Sequence, residues 1–244
     1  MRWRAGAVKI AVFTPAPVAR ETLAVWSEVF PNSPSNLQPV QGMQSTNIAS
    51  GPLGDKQAVV TTMPGRTELA FTGVPNSNGP PLPAPFDDIA EALGRLRDLV
   101  VGSSLIRDCN RVAVIAELVE PTTGADHSCS LLSSELHLEL PPGSTDITFK
   151  INQPVDASSD AAIRINRIGT WAAQVGQYIQ LQVGPVFSVQ ASPAVTEAHF
   201  VTLELDVNNV PLAGAIANVP GLLDECVAEV LALREDCYAR LVRR

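Results

Sequence analysis

Hydrophobic positions recur at every third or fourth residue in some stretches of this chain and at every second residue in others. The first period marks helix and the second marks strand. Val8–Phe13 is a short apolar run and predicts a strand that Pro15 and Pro17 end. Val18–Phe30 predicts a helix, with Val18, Leu23, Val25, Trp26, Val29 and Phe30 on one broad apolar face. The turn-rich "PNSPSNLQP" closes it, and residues 32–54 carry no clear period. Gln57–Met63 and Thr67–Phe71 flank Pro64-Gly65 and predict a hairpin. Asp87–Arg107 predicts the next helix, with Ile89, Leu93, Leu96 and Val100 in helical spacing and two aspartates in the first turn. Arg111–Val119 predicts a closing strand. This β-α-β-β-α-β succession is that of the split βαβ, or ferredoxin-like, unit.

The second half changes character. Ser134–Leu140, "SELHLEL", alternates and predicts a strand with Glu135, His137 and Glu139 outward. Ile147–Asn152 alternates again, placing Ile147, Phe149 and Ile151 inward and Lys150 and Asn152 outward. Ala162–Ile168 predicts another strand, and Gln177–Val183 with Val186–Gln190 a hairpin around Gly184-Pro185. His199–Asn208 predicts a long strand with Leu203, Leu205 and Val207 inward. Pro220–Val242 predicts one amphipathic helix. Consecutive alternating strands argue for an antiparallel sheet with one wet face. The expected fold is therefore α+β, a mostly antiparallel sheet with helices on one face. A seam near 120–130 divides it into a βαββαβ-type part, 1–120, and a sheet-plus-helix part, 121–244.

Composition narrows the functional classes. The chain's 244 residues are globular in composition, with 45% hydrophobic and 17% charged residues. A net charge of −8 opposes nucleic acid and anionic lipid at long range. The arginines at 240, 243 and 244 form the one basic cluster, and they suit a helix C-terminus. The four cysteines form no CxxC pair, and the expectation is free, buried thiols in a reducing cytoplasm. "MRWRAGAVKIAVF" reads as the start of a cytosolic chain, with Val8 a possible natural start. No apolar run reaches the ~20 residues that span a bilayer.

The known catalytic motifs are missing: no phosphate loop, GxGxxG, GxSxG, HExxH or zinc-deaminase pattern occurs. No cofactor is implied. Four constellations remain. Glu135, His137 and Glu139 alternate as metal ligands on a strand would, and as any wet strand face does. Asp126, His127 and Cys129 hold the parts of a thiol nucleophile, and loop polarity accounts for an adjacent trio better. Glu204, Asp206 and Asn208 could coordinate a hard cation, or pair across strands with Lys150, Arg164 or Arg167. The repeated "KIN" at 150–152 and "RIN" at 164–166 could read a polyanion, but no aromatic interleaves these cations and Phe149 points inward.

The helix ending in Phe30-Pro31, the strand from Arg111, "INQP", "LELDVNN" and the closing "LLDECVAEVLALREDCYARL" together resemble an uncharacterised, sporadically distributed bacterial family of about this length. The resemblance spans nearly the whole chain and implies no catalytic residue. It implies a prokaryotic accessory protein. The expected function is a non-enzymatic cytosolic interaction or adaptor protein with a protein partner or a homo-oligomer. A metal-dependent hydrolase or nuclease at Glu204 and Asp206, assisted by Glu135 or His137, is the alternative. A small-ligand sensor with a pocket between the halves is the third reading.

Overall fold

The computed structural model describes residues 3–17, 20–39, 46–74, 84–141, 144, 146–180 and 194–242. Strands β1 (Arg4–Phe13), β2 (Asn36–Pro39), β3 (Asn47–Leu53), β4 (Lys56–Met63), β5 (Arg66–Gly73), β6 (Arg111–Thr122), β7 (Thr148–Asp156), β8 (Arg164–Gln180) and β9 (Ala194–Asn209) form a single antiparallel sheet. Its order is β2-β3-β4-β5-β1-β6-β9-β8-β7. Helices α1 (Thr22–Val29), α2 (Ile89–Val101), α3 (Ala125–Leu136), α4 (Val219–Glu235) and α5 (Cys237–Val242) pack against one face. The class is α+β with a dominant sheet, as the alternation predicts.

The order conceals a repetition. With the short β2 set aside, the run β1-α1-β3-β4-β5-α2 has the same succession as β6-α3-β7-β8-β9-α4. From their shared junction, each run lays its strands in the order first, fourth, third, second. The junction is the antiparallel pair β1–β6, in which Ile10 meets Val114. A half-turn about an axis normal to the sheet at this junction exchanges the two runs and leaves the helices on the same side.

Alternation decides which residues face the helices. Val8, Ile10 and Val12 on β1, Val112 and Val114 on β6, and Leu203, Leu205 and Val207 on β9 are all buried. The helices close this layer with Trp26, Leu93, Leu96, Leu132, Leu223 and Val230. Fully burying one such side chain contributes about 1.5–3 kcal/mol. Trp171 on β8 is the largest fully buried side chain, 6.0 Å from the Phe149 ring. Beside it, a Cβ at Gly169 would come within 2.9 Å of Cys237 Sγ, Leu241 Cδ1 and the Trp171 ring. A methyl there would force these side chains to shift, because α5 descends onto the strand.

The structure corrects several expected elements. "SELHLEL" is not a strand: Ser134–Leu136 is the last turn of α3, and His137 ends it in the left-handed region at φ 50°. Leu132 and Leu136, four apart, are the buried pair that sets the helix. The featureless 32–54 stretch holds β2 and β3; Gly51 lies against Trp26, whose ring sits 3.1 Å from where a Cβ would be. The predicted helix 87–107 stops at Gly102 and continues only as a 3-10 turn at Ser104–Ile106. The C-terminal helix breaks at Asp236. Leu23 is exposed, off the buried face of α1. Gln177–Gln180 belong to β8, and the rest of the hairpin around Gly184-Pro185 lies outside the described residues.

Candidate functional site: the open sheet face

Among the described residues, no helix covers the second face of the sheet. Its floor is read from the strand register. One row runs Lys150 (β7), Thr170 (β8), Glu204 (β9), Glu117 (β6), Ala7 (β1) and Thr72 (β5). The next runs Asn152, Ile168, Asp206, Ile115, Lys9 and Ala70. Over the first row lies a groove of about 870 Å³. It crosses the β1–β6 junction, with Thr72 and Pro85 near one end and Thr148 and Gln174 near the other.

Three carboxylates meet on this floor. Glu117 and Glu204 stand directly opposite each other, and Asp206 follows on the same face of β9. Lys9 pairs with Glu117. Asn208 Nδ2 donates to Asp206 Oδ1 at 2.9 Å. Glu204 sits between them. Loss of water under the groove walls, then the charges of Glu117 and Asp206, raise its proton affinity above that of an ordinary glutamate. Lys9 and Lys150 pull the other way and are outweighed. Among the described residues, no group of three or more His, Cys, Asp or Glu side chains could hold a metal ion.

The asparagines of "KIN" and "RIN" have a role here. Asn152 Nδ2 donates to Asn166 Oδ1 at 3.4 Å, and Asn166 Nδ2 donates to Asn208 Oδ1 at 3.1 Å. Asn208 is 1% exposed. The ladder binds β7, β8 and β9 side by side and ends on Asp206. These amides therefore complete each other and leave no row of free donors for a polyanion. Further along β1, Phe13 faces the same side, with Arg111 at 4.7 Å and Arg66 at 5.0 Å from its ring. The sequence reading placed no aromatic among these cations. Phe13 lies in a different strand from "KIN" and "RIN", and only register brings it beside arginines.

The structure brings Glu204 and Asp206 together and leaves Glu135 and His137 on the helix-covered side. The His137 ring lies 5.3 Å from Tyr238 of α5, and the Glu135 charge acts on the Cys237 thiol. The sheet separates the two pairs. The Asp126, His127, Cys129 trio is divided as well. Cys129 is buried, whereas His127 Nδ1 accepts from the Thr123 amide at 3.2 Å. None of the expected pairs with Lys150, Arg164 or Arg167 stands directly across: Glu204 lies between Glu117 and Thr170, and Asp206 between Ile115 and Ile168. Arg164 stands opposite Asp156, but Arg167 turns to the helices and meets Glu229 at 3.3 Å. Lys150 is one strand removed from Glu204, with Thr170 between. Lys9 and Glu117, the partners that sequence reasoning missed, come from strands distant in the chain. Only the register places them here.

The second feature of this face is a ribbon. β7 pairs with β8 only as far as Ala172, and β6 pairs with β9 only from His199. Beyond these points, among the described residues, β8 and β9 pair only with each other, from Gly176–Ala198 to Gln180–Ala194. At ~3.4 Å per residue pair, the described ribbon extends about 17 Å past the sheet. Val175, at its base, is 47% exposed.

The chain matches no protein-family model and no curated protein.

Proposed function

We propose that this chain is a non-enzymatic interaction protein, a cytosolic adaptor or subunit of a prokaryotic assembly, and that it docks its partner on the open sheet face and the β8–β9 ribbon. The ribbon carries this reading. A two-stranded hairpin is marginally stable alone in water and gains order by packing on something else. This one leaves the sheet with an exposed valine at its base, and a partner seated in the groove would meet it there. The groove floor fits the same role: the small residues Ala7, which is buried, and Ala172 and Thr202, which are half-buried, are ringed by Lys9, Glu117 and Glu204. An apolar patch with a charged rim is the anatomy of a protein contact. The first half is read in the same spirit as a split βαβ unit, because β4-β5-β1-β6 with α1 and α2 follows that succession, extended at its edge by β2 and β3.

The test is a pull-down with tagged wild type and Ala172→Arg, a charge set in the groove. A partner held by wild type and depleted more than ten-fold by the variant supports the reading. A strictly monomeric wild type that recovers no partner, or a partner indifferent to the variant, contradicts it.

The groove's volume supports a second reading, a small-ligand sensor, since ligand pockets span about 300–1,000 Å³ and this groove crosses both halves. That reading predicts a rise in melting temperature in a metabolite screen, because a ligand at 100 times its Kd adds about 2.7 kcal/mol. Metal-dependent hydrolysis at Glu204 and Asp206 has less support, since Glu135 and His137 lie across the sheet.

A further inference from the structure

We infer that the partner on the open face is a second copy of this chain, stacked face to face about a two-fold axis that runs along the β1–β6 junction. The inference rests on the docking role proposed above and names its occupant. Charge points to this arrangement. On the open face, the β1–β5 side carries Lys9 and Arg66 against Glu68. The β6–β9 side carries Glu117, Glu204 and Asp206 beside Arg111. One side is therefore cation-rich and the other carboxylate-rich, on either side of a single seam.

A two-fold axis along that seam lays the cation-rich side of each copy over the carboxylate-rich side of the other. Lys9 of one copy then lies over β6 of its mate, one strand from the Glu204–Asp206 patch, and the contact occurs twice, as a two-fold interface requires. The face as a whole is close to neutral, because Arg164 answers Asp156 and Lys150 lies one strand from Glu204. The chain carries −8 in total, so the surplus negative charge lies elsewhere. Two copies meet on this face without the repulsion that the rest of the surface imposes.

Area agrees with this choice. The eight strands from β3 to β7 in sheet order, at ~4.8 Å spacing and about seven residues at ~3.4 Å, give roughly 900 Å² per copy. A stable protein contact needs about 800 Å² per partner. Two sheets packed this way keep their strands within about 30° of each other and stand ~10 Å apart.

The experiment is sedimentation equilibrium on the full chain, with a charge-swap rescue. Wild type is expected at twice the 25.9 kDa chain mass, with association weakening as salt rises. Lys9→Glu alone and Glu204→Lys alone place like charges at both copies of the contact, and each weakens association more than ten-fold. Mixed together, these two variants restore opposite charges at both contacts and recover the dimer, which a misfolded variant cannot do. Wild type that stays at 25.9 kDa at every concentration overturns the inference, as does a mixture that fails to associate more strongly than either variant alone. If wild type is monomeric but Ala172→Arg still loses a pulled-down partner, the second copy is refuted and the docking role stands.

Discussion

Glu117 and Glu204 face each other across β6 and β9, and Lys9 pairs with Glu117. Like charges directly opposite on a sheet destabilise it by about 0.2–1 kcal/mol. Folding raises the proton affinity of Glu204 above its ordinary 4.5, so the folded state binds this proton more tightly than the unfolded state. Linkage then fixes the sign. The contribution of this group improves as pH falls through its folded pKa toward 4.5 and is lost as pH rises. Glu204→Gln is expected to stabilise the monomeric protein at pH 7 by about 0.2–1 kcal/mol, the cost of the like-charge pair, and by less near pH 4.5. Urea unfolding at the two pH values, at protein concentrations where the chain is monomeric, measures it. Equal shifts at both pH values contradict the raised proton affinity.

Gly169 makes a packing prediction. α5 lies so close to β8 that an added methyl meets Cys237, Leu241 and Trp171 at 2.9 Å. Overpacking of this kind costs about 1–3 kcal/mol. Gly169→Ala should lower the unfolding free energy in urea by that amount, whereas Gly214→Ala, with open space around the site, should change it little.

Asn209 holds the ends of β6 and β9 together. It is fully buried; its Oδ1 accepts from the Val112 amide at 2.7 Å, and its Nδ2 donates to the carbonyls of Val210 at 2.8 Å and Asn110 at 3.2 Å. Asn209→Ala leaves buried backbone groups without partners, each costing about 1–3 kcal/mol. The expected loss on chemical unfolding is about 2–3 kcal/mol. A loss below half a kcal/mol contradicts this account of the latch.

The thiols should be inert. All four cysteines are buried and free. Burial pushes the Cys226 thiol up to about 12, with the charges of Glu225, Glu229 and Asp206 adding to it. Burial raises Cys237 and Cys109 as well. A thiol-reactive dye at pH 8 should label none of them rapidly in the native protein and all four in urea. Fast labelling of any one in the native state contradicts the packing.

The sequence carries the strand and core pattern wherever one side of an element is wet. Ile147–Asn152 and His199–Asn208 alternate because helices lie on one side only, and Val8–Phe13 and Gln57–Met63 stand out as short apolar runs bounded by turn residues. "SELHLEL" misleads because its alternation spans the end of a helix: Leu136 is the last residue of α3, and Leu138 lies beyond it, exposed. β3 is illegible because its apolar period is interrupted at Gly51, where Trp26 packs. The site is legible only where it is local. Glu204 and Asp206 share a strand and are found by alternation. Glu117, Lys9 and Phe13 reach the same face through the register of β1 and β6, which no local pattern encodes.

The central claim is that a protein covers the groove. Because the native thiols are buried, Gln174→Cys introduces one reactive thiol at the exposed end of the groove. Its rate of alkylation by a bulky maleimide is the most direct measurement. The account predicts a rate that falls at least ten-fold as protein concentration rises or a partner is added, and that recovers when Glu204→Lys is combined with it. A rate unchanged by concentration and by every partner contradicts the claim.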